Sequence, residues 1–166
     1  SPELPVMALG ACSNVIVRDG GLDGIVVRLA RGFADVVVEP DGLIVGAGCL
    51  DATVAEHAAQ AGLGGLEFLA GIPGSIGGAV RMNAGAYGSD IATVLDWAEI
   101  VTRDGSIVQL DVSALKVGYR RSGLPEGALV TRARLRGETA NPADVAARIA
   151  EVRTAREQSQ PVRART

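Results

Sequence analysis

The sequence has few aromatic residues, one lysine and one histidine. Aromatic residues make up 3% of its 166 residues and hydrophobic residues 48%, so valine, alanine, leucine and isoleucine must fill the core of a globular domain. Lys116, the single lysine, does not stand in a GxxxxGK(S/T) motif, which excludes a phosphate-binding loop of that type. His57 belongs to no serine–histidine–aspartate pattern, so the sequence does not indicate triad hydrolysis.

Cysteine is scarce, and long hydrophobic runs are missing. Cys12 and Cys49 are far apart and have no CxxC partner, which argues against a disulfide framework or a zinc site and favours a reducing compartment. We interpret both as small core residues. No run reaches the roughly 18 apolar residues of a membrane span, and no signal-peptide pattern opens the chain. We therefore expect a soluble, cytoplasmic protein with no metal site and no membrane partner.

The charge balance does not favour nucleic acid as a partner. The formal net charge is −3, so the chain has no global attraction for polyanions. Arginines are concentrated between Arg132 and Arg165, but no aromatic residue follows Tyr119 to stack on bases. A solvated face is favoured over a nucleic-acid-binding arm.

Alternating and β-branched patterns predict short strands separated by turns. They indicate strands at residues 6–9, 15–18, 25–29 and 129–135. A hairpin is predicted from 36–39 and 43–46 around a Pro-Asp-Gly turn, and a second from 94–102 and 107–110.

Two helices carry recognisable boundaries. The first is predicted to begin with Asp51 as its capping residue and to end at Gly62, which can adopt a left-handed conformation. The second is predicted to follow an Asn141 cap with Pro142 at its first position and an apolar face of Val145, Ile149 and Val152.

Three loops could carry chemistry. "GACSN", at residues 10–14, could present backbone amides to an anion, or it could be an ordinary asparagine turn between strands. The stretch "AGIPGSIGGAVRMNAGAYG" removes side chains along a continuous path, so a ligand could approach its backbone, although close packing of a loop on a sheet would also need glycines. "YRRS", at residues 119–122, places a phenol, two guanidinium groups and a hydroxyl together, suited either to a carboxylate or phosphate or to surface ion pairs.

Taken in order, "LGACSNVIVRDGGLDGIVVRL", "VGAGCL", "GLGGLEFLAGIPGSIGGAVRMNAGAYGSDI" and "VGYRRSGLPEGALV" resemble the UDP-N-acetylenolpyruvoylglucosamine reductases. The resemblance runs from about Leu4 to Pro161. It implies an α+β FAD-binding domain of the type shared by vanillyl-alcohol oxidase and p-cresol methylhydroxylase. FAD would take a hydride from NADPH and pass it to the enolpyruvyl group of a UDP-sugar, yielding UDP-N-acetylmuramate for peptidoglycan.

The resemblance also implies roles for individual residues. Arg120 matches the active-site arginine that binds the substrate carboxylate, and Tyr119 would bind substrate beside it. The FAD-binding positions are Gly10, Ala11, Cys12, Ser13 and Asn14 at the pyrophosphate, and Ile72, Pro73, Gly74, Gly77, Gly78, Asn83, Ala84 and Gly85 along the cofactor. The family usually has glycine where this chain has Cys12, and a side chain there would be strained if the position needs a positive φ.

The resemblance further divides the chain into three parts. Residues 1–50 would be the remainder of a first FAD-binding subdomain, 51–140 a second, and 141–166 a helix and linker toward a C-terminal substrate domain. The family's GSxFKNP-like motif, which carries the serine proton donor, does not occur in these 166 residues, and Ser122 and Ser159 do not match it. We therefore expect a chain that lacks the family's N-terminal segment and substrate domain and is inactive alone. The alternatives are another flavin oxidoreductase acting on a sugar or lactone, and a binding module without cofactor.

Overall fold

The structure, a computed structural model, describes residues 4–160. Its strands are β1 Val6–Leu9, β2 Ile25–Arg28, β3 Val36–Glu39, β4 Gly42–Gly46, β5 Leu63–Gly64, β6 Gly85–Ala86, β7 Ser89–Asp90, β8 Leu95–Val101, β9 Ile107–Asp111, β10 Leu129–Arg136 and β11 Glu138–Thr139. Its helices are α1 Asp51–Ala61, α2 Ile76–Met82, α3 Ile91–Val94 and α4 Pro142–Ser159, with 3-10 turns at Arg31–Phe33 and Glu67–Gly71.

A five-stranded antiparallel sheet forms the centre of the fold. Its strand order is β3–β4–β10–β8–β9, so both predicted hairpins are confirmed and β10 lies between them. Ala133 of β10 lies opposite Val45 on one side and Ala98 on the other, and all three are fully buried. Small and β-branched side chains on this face let α2 and the glycine-rich stretch pack closely against the sheet.

The helices pack beside this sheet around an aliphatic core. Val54 and Ala58 of α1 and Val145 of α4 are fully buried, and Ile149 is nearly so. Among the described residues, Phe68 is the single aromatic side chain of the core cluster, as the composition predicted. None of the helices described between residues 4 and 160 is long and apolar enough to cross a membrane.

The two predicted helices are present, but one cap is wrong. The Asn141 side chain accepts a hydrogen bond from the Ala143 N–H at 2.9 Å, and Pro142 occupies the first turn, as predicted. At α1 the capping position is Leu50, and Asp51 is already helical. The Asp51 N–H donates to Gly74 O at 3.1 Å, so backbone from the glycine-rich stretch closes this helix end and the side chain is turned inward.

The predicted strand at residues 15–18 is also wrong. β1 and β2 pair in parallel, so residues 10–24 form the crossover between them. Residues 15–18 have no ladder partner among residues 4–160, and Ile16 is 95% exposed. Their β-branched pattern is real, but a strand needs neighbouring backbone to accept its hydrogen bonds. Of the predicted helix and linker at 141–166, α4 occupies Pro142–Ser159, and residues 161–166 lie outside the described residues.

Arginines of the last third of the chain pair with the chain's own acceptors. Arg134, on β10, lies 2.7 Å from Glu39 Oε2 and 2.6 Å from Asp41 Oδ1 and also pairs with Asp96, so it joins the β3–β4 hairpin to β8. The further pairs are Arg132 with Glu99, Arg136 with Asp96, Arg148 with Glu67, Arg153 with Glu56, and Arg156 with Gly71 O. The side chains of these described arginines are therefore engaged with acceptors of the same chain.

Candidate functional site

The glycine-rich stretch lies across the segment that leaves β4. The N–H of Gly77 donates to Ala47 O at 2.8 Å, and the N–H of Ile76 donates to Cys49 O at 3.0 Å. A Cβ on Gly77 would lie 3.0 Å from the Ala47 Cβ, and one on Gly74 would lie 2.6 Å from Asp51 Oδ2. At Gly74 and Gly77 the absence of a side chain therefore permits close packing within the protein.

Gly78 has the opposite environment. A Cβ there would meet no atom within 4 Å. Gly78 lines an open cleft of about 300 Å³ that also contacts Gly10, Ser75, Gly77 and Arg81. Here the missing side chain leaves space for a ligand rather than for the protein's own backbone.

The loop at residues 10–14 borders the same cleft. The Ala11 N–H donates to Ser75 Oγ at 3.4 Å, and a Cβ on Gly10 would overlap that hydroxyl, so the loop rests directly on the glycine-rich stretch. Ala11, Cys12, Ser13 and Asn14 are exposed. Exposed backbone in a turn with a left-handed residue is typical of the amide nests that bind anions.

Cys12 is that left-handed residue, with a φ of 58°. Its thiol is exposed and donates to Gly10 O at 3.5 Å, so the prediction that Cys12 is a core residue is wrong. All of residues 11–14 are exposed, so this turn keeps the Cys12 side chain at the surface. Cys49 is buried as predicted, and burial raises the pKa of its thiol to about 11.

The Tyr119–Arg120 turn is a tight two-residue connection. Gly118 and Arg121 exchange backbone hydrogen bonds of 3.0 and 3.1 Å, which leaves Tyr119 and Arg120 at the tip. Arg120 has a φ of 54°, and its guanidinium carbon lies 5.5 Å from the centroid of the exposed Tyr119 ring. Both predicted substrate-binding groups are thus presented together to solvent.

Asn83 attaches this turn to the glycine-rich stretch. Its side chain is buried, its Nδ2 donates to Asp90 Oδ2 at 3.0 Å and Gly118 O at 3.4 Å, and its Oδ1 accepts from the Ala92 N–H at 2.9 Å. On the other side of the turn, the Ser122 hydroxyl donates to Arg81 O at 2.8 Å. The Asn83 amide is therefore used within the protein and positions the turn.

The remaining predicted cofactor positions lie around these contacts. Ile72 and Ala84 are partly buried against the core, whereas Pro73 and Gly85 are exposed. A Cβ on Gly85 would lie 2.8 Å from the Asp90 Cβ, so this glycine permits the close β6–β7 pair. The stretch therefore combines packing positions with open ones.

Sequence reasoning missed one polar residue beneath the site. Asp51 is fully buried, and neither carboxylate oxygen has a hydrogen-bond partner within the described part of the chain. A Cβ placed on Gly74 would lie 2.6 Å from Asp51 Oδ2 and 3.7 Å from Ser13 Oγ, so both side chains lie close to Gly74. Burial raises the pKa of the Asp51 carboxyl to about 7. The aspartate matched a helix cap in the sequence, and no local signal showed that it would be buried.

Several known proteins are similar to this chain in sequence and fold. The sequence profile of the FAD binding domain family matches residues 1–111. A UDP-N-acetylenolpyruvoylglucosamine reductase of Acidiphilium cryptum is 61% identical over 166 residues, which are 100% of this chain and 54% of the relative. The crystal structure of the UDP-N-acetylenolpyruvylglucosamine reductase from Thermus caldophilus superimposes with a TM-score of 0.85 at 41% identity, over 98% of this chain and 59% of that chain.

A more distant structure shows the same fold. The 6-hydroxy-D-nicotine oxidase of Arthrobacter nicotinovorans has a TM-score of 0.59 at 18% identity, over 82% of this chain and 31% of that one. The chain spans about half the length of the curated relatives that it matches. The α+β fold of the vanillyl-alcohol oxidase type and the resemblance indicated by the sequence motifs are confirmed, and the chain belongs to the FAD binding domain family.

Proposed function

We propose that this chain forms the FAD-binding part of an NADPH-using flavin oxidoreductase that reduces UDP-N-acetylglucosamine enolpyruvate to UDP-N-acetylmuramate in peptidoglycan precursor synthesis. One structural observation carries the proposal. The glycine-rich stretch is hydrogen-bonded to the residue 10–14 loop through Ser75 and to the Tyr119–Arg120 turn through Asn83 and Arg81. An anion-binding loop and an exposed arginine are thereby held on two sides of one backbone surface, and the names of the similar reductases indicate the reaction.

The residues around the cleft fit FAD. The exposed loop at residues 10–14 would hold the pyrophosphate through backbone N–H groups, which needs no lysine. The open side of Gly78 would let a flat ligand lie against α2 without meeting a side chain. The unpartnered Asp51 carboxyl lies just behind Gly74, where a bound group would change its surroundings. When bound, FAD would supply hydride transfer from NADPH to the substrate.

Arg120 has the chemistry that the substrate requires. Addition of hydride to the enolpyruvyl double bond leaves negative charge on the carbon beside the carboxylate, and a fixed guanidinium stabilises that charge. Its planar donors also bind both carboxylate oxygens, which a lysine ammonium cannot do with the same geometry. The hydrogen bonds of Asn83 to Gly118 O and of Ser122 to Arg81 O hold the backbone of the turn, so its tip presents Arg120 beside Tyr119.

The proton that completes the reaction would come from another part of the protein. In the reductases that the motifs resemble, a serine of a GSxFKNP-like motif donates it, and these 166 residues contain no such motif. We therefore propose that the chain binds FAD and does not turn over substrate by itself.

The division into parts also stays a proposal: 1–50 and 51–140 as two FAD-binding subdomains, and 141–166 as a helix and linker. β3 and β4 pair in one sheet with β8, β9 and β10, so the sheet draws strands from both sides of residue 50. α4 packs on α1 and on the Glu67–Gly71 turn.

Two measurements test the proposal. FAD is titrated into the purified chain and flavin fluorescence is followed, with quenching expected on binding. The chain is then joined to the parts of the Acidiphilium cryptum relative that it does not match, and NADPH oxidation is measured with UDP-N-acetylglucosamine enolpyruvate. We expect substrate-dependent oxidation in the joined protein only.

Arg120→Gln in the joined protein should lower kcat by roughly two to three orders of magnitude, because it removes the positive charge that stabilises the transition state. Arg121→Gln is the matched control because Arg121 pairs with Gly118 through its backbone at the base of the same turn. Equal effects of the two changes would contradict the role of Arg120. Turnover of a plain sugar or lactone without NADPH would instead indicate a sugar oxidase, and absence of FAD binding would favour a cofactor-free module.

A further inference from the structure

We infer that Asp51 is a proton-bearing residue of the cofactor site, whose carboxyl must be neutral when the FAD pyrophosphate is bound, so that FAD binding takes up a proton. The inference rests on the proposed binding of FAD to this chain. It concerns a residue that lies outside the loops predicted to touch the cofactor.

The first support is the isolation of the carboxyl. Asp51 occupies the first turn of α1, where an aspartate ordinarily accepts hydrogen bonds from free backbone N–H groups. Here its Oδ1 and Oδ2 are the buried side-chain oxygens without a partner among the described residues. Such atoms are rare in folded proteins, because an unpaired buried carboxylate is strongly disfavoured relative to its neutral acid.

The second support is the position of the carboxyl. Asp51 Oδ2 and Ser13 Oγ both approach Gly74, at 2.6 and 3.7 Å from its Cβ position. Ser13 belongs to the loop that would hold the pyrophosphate, and Gly74 to the stretch along the cofactor. Asp51 therefore lies directly behind the place where the residue 10–14 loop meets the glycine-rich stretch. Its side chain is fully buried, so solvent does not screen its charge.

The titratable and charged groups on the elements packed around α1 do not neutralise Asp51. Cys49, two residues before it, is buried, and burial raises the pKa of that thiol to about 11, so the thiol stays neutral. Asp35 lies next to Gly46, 2.7 Å from its Cβ position, and adds negative rather than positive potential around Cys49. From α4, Arg148 and Arg153 are engaged by Glu67 and Glu56. The raised pKa of Asp51 has burial as its cause.

A pyrophosphate bound at the residue 10–14 loop would place about two negative charges close to the Asp51 carboxyl. Like charges near each other raise the pKa of an acid, so the bound state favours the protonated carboxyl more strongly than the free state does. A neutral carboxyl can also donate its O–H to a neighbouring oxygen, which an ionised one cannot. Below about pH 7 the proton is already present, and above it FAD binding must draw one from solvent.

The experiment measures the Kd of FAD between about pH 5.5 and 8.5 by fluorescence quenching in the full chain. We expect a constant Kd on the acid side of pH 7 and a rise of up to tenfold per pH unit above it. Calorimetry at pH 8 in two buffers of different ionisation enthalpy should show uptake of close to one proton. Asp51→Asn, which is neutral at every pH, should bind FAD with a Kd independent of pH and without proton uptake.

Asp144→Asn is the matched control, since it makes the same change in the exposed first turn of α4 and should keep the wild-type profile. A flat profile or zero proton uptake in the wild-type chain would overturn the inference while leaving FAD binding intact. A slope retained in Asp51→Asn would also overturn it. If Asp51→Asn fails to fold, the proton uptake of the wild-type chain decides the question. Absence of FAD binding at every pH would overturn the proposed function itself.

Discussion

Replacing Asp51 by asparagine is expected to stabilise the chain without ligand at neutral pH and to leave its stability nearly unchanged near pH 4. In the unfolded chain the carboxyl has its ordinary pKa of 3.8, whereas burial raises it to about 7 in the folded chain. Between these values the folded chain keeps a proton that the unfolded chain has lost. Folding is therefore favoured below the unfolded pKa, and this contribution is lost as pH rises toward the folded pKa.

The magnitude follows from the size of this difference. A separation of roughly three pKa units at 1.36 kcal/mol per unit corresponds to about 4 kcal/mol of unfolding free energy above pH 7. Asparagine has nearly the same shape as aspartate and cannot ionise. The variant should therefore keep, above pH 7, the unfolding free energy that the wild-type chain loses there. The advantage of Asp51→Asn should grow by about 1.4 kcal/mol per pH unit between pH 4 and 7 and then level off.

Urea denaturation at pH 4.5, 5.5, 6.5 and 7.5 measures this difference, with fluorescence of Trp97, the single tryptophan, as the probe. Trp97 lies on β8 of the central sheet, so its signal reports loss of the core. Asp144→Asn is the control and should differ from wild type by the same small amount at every pH, because its carboxyl is exposed. A difference for Asp51→Asn that stays constant with pH, or that favours wild type more at pH 7.5 than at pH 4.5, would refute the burial of an unpaired carboxyl.

Three further predictions concern the glycine-rich stretch and its neighbours. Gly78→Ala should leave the free energy of unfolding unchanged or raise it by up to about 1 kcal/mol, and it should weaken FAD binding. Gly77→Ala should lower the free energy of unfolding, because its Cβ would lie 3.0 Å from the Ala47 Cβ. Urea denaturation and FAD titration distinguish the two variants. Cys12→Gly should stabilise the chain by about 1 kcal/mol in thermal melts by relieving a φ of 58°, and an unchanged melt would contradict the strain. Asn83→Ala should lower the free energy of unfolding by about 1–3 kcal/mol. It should also raise the KM for substrate in the joined protein, because it removes the hydrogen bond to Gly118 O. An unaltered KM would show that Asn83 does not position the turn.

Features with local chemistry could be predicted from the sequence. Asn141 and Pro142 define a helix start because a side-chain oxygen and a missing N–H suit the first turn whatever surrounds it. Gly62 ends α1 with a φ of 69°, which glycine adopts without strain. The two hairpins likewise follow from their turn residues and strand pattern.

Features that need a distant partner could not be predicted in this way. Residues 15–18 have the composition of a strand, but no neighbouring backbone pairs with them among residues 4–160. Asp51 has the sequence context of a cap, but backbone from Gly74 already closes the helix end. In both cases the outcome depends on whether a segment far away in the chain supplies hydrogen-bond partners, and local propensity contains no information about that.

By itself, the sequence determined the order and the composition of three loops: a short polar turn at Gly10–Asn14, a glycine-rich stretch from Gly71 to Gly88, and the Tyr119–Arg120 pair. It did so because glycine, asparagine and arginine limit the local backbone and the available donors in any fold. Only the tertiary structure decided which glycines are packed and which are open, how Asn83 positions the arginine turn, and that Asp51 is buried unpaired behind the loops. Burial and hydrogen-bond partners are properties of segments brought together by packing, and they exist only once the sheet and helices have assembled.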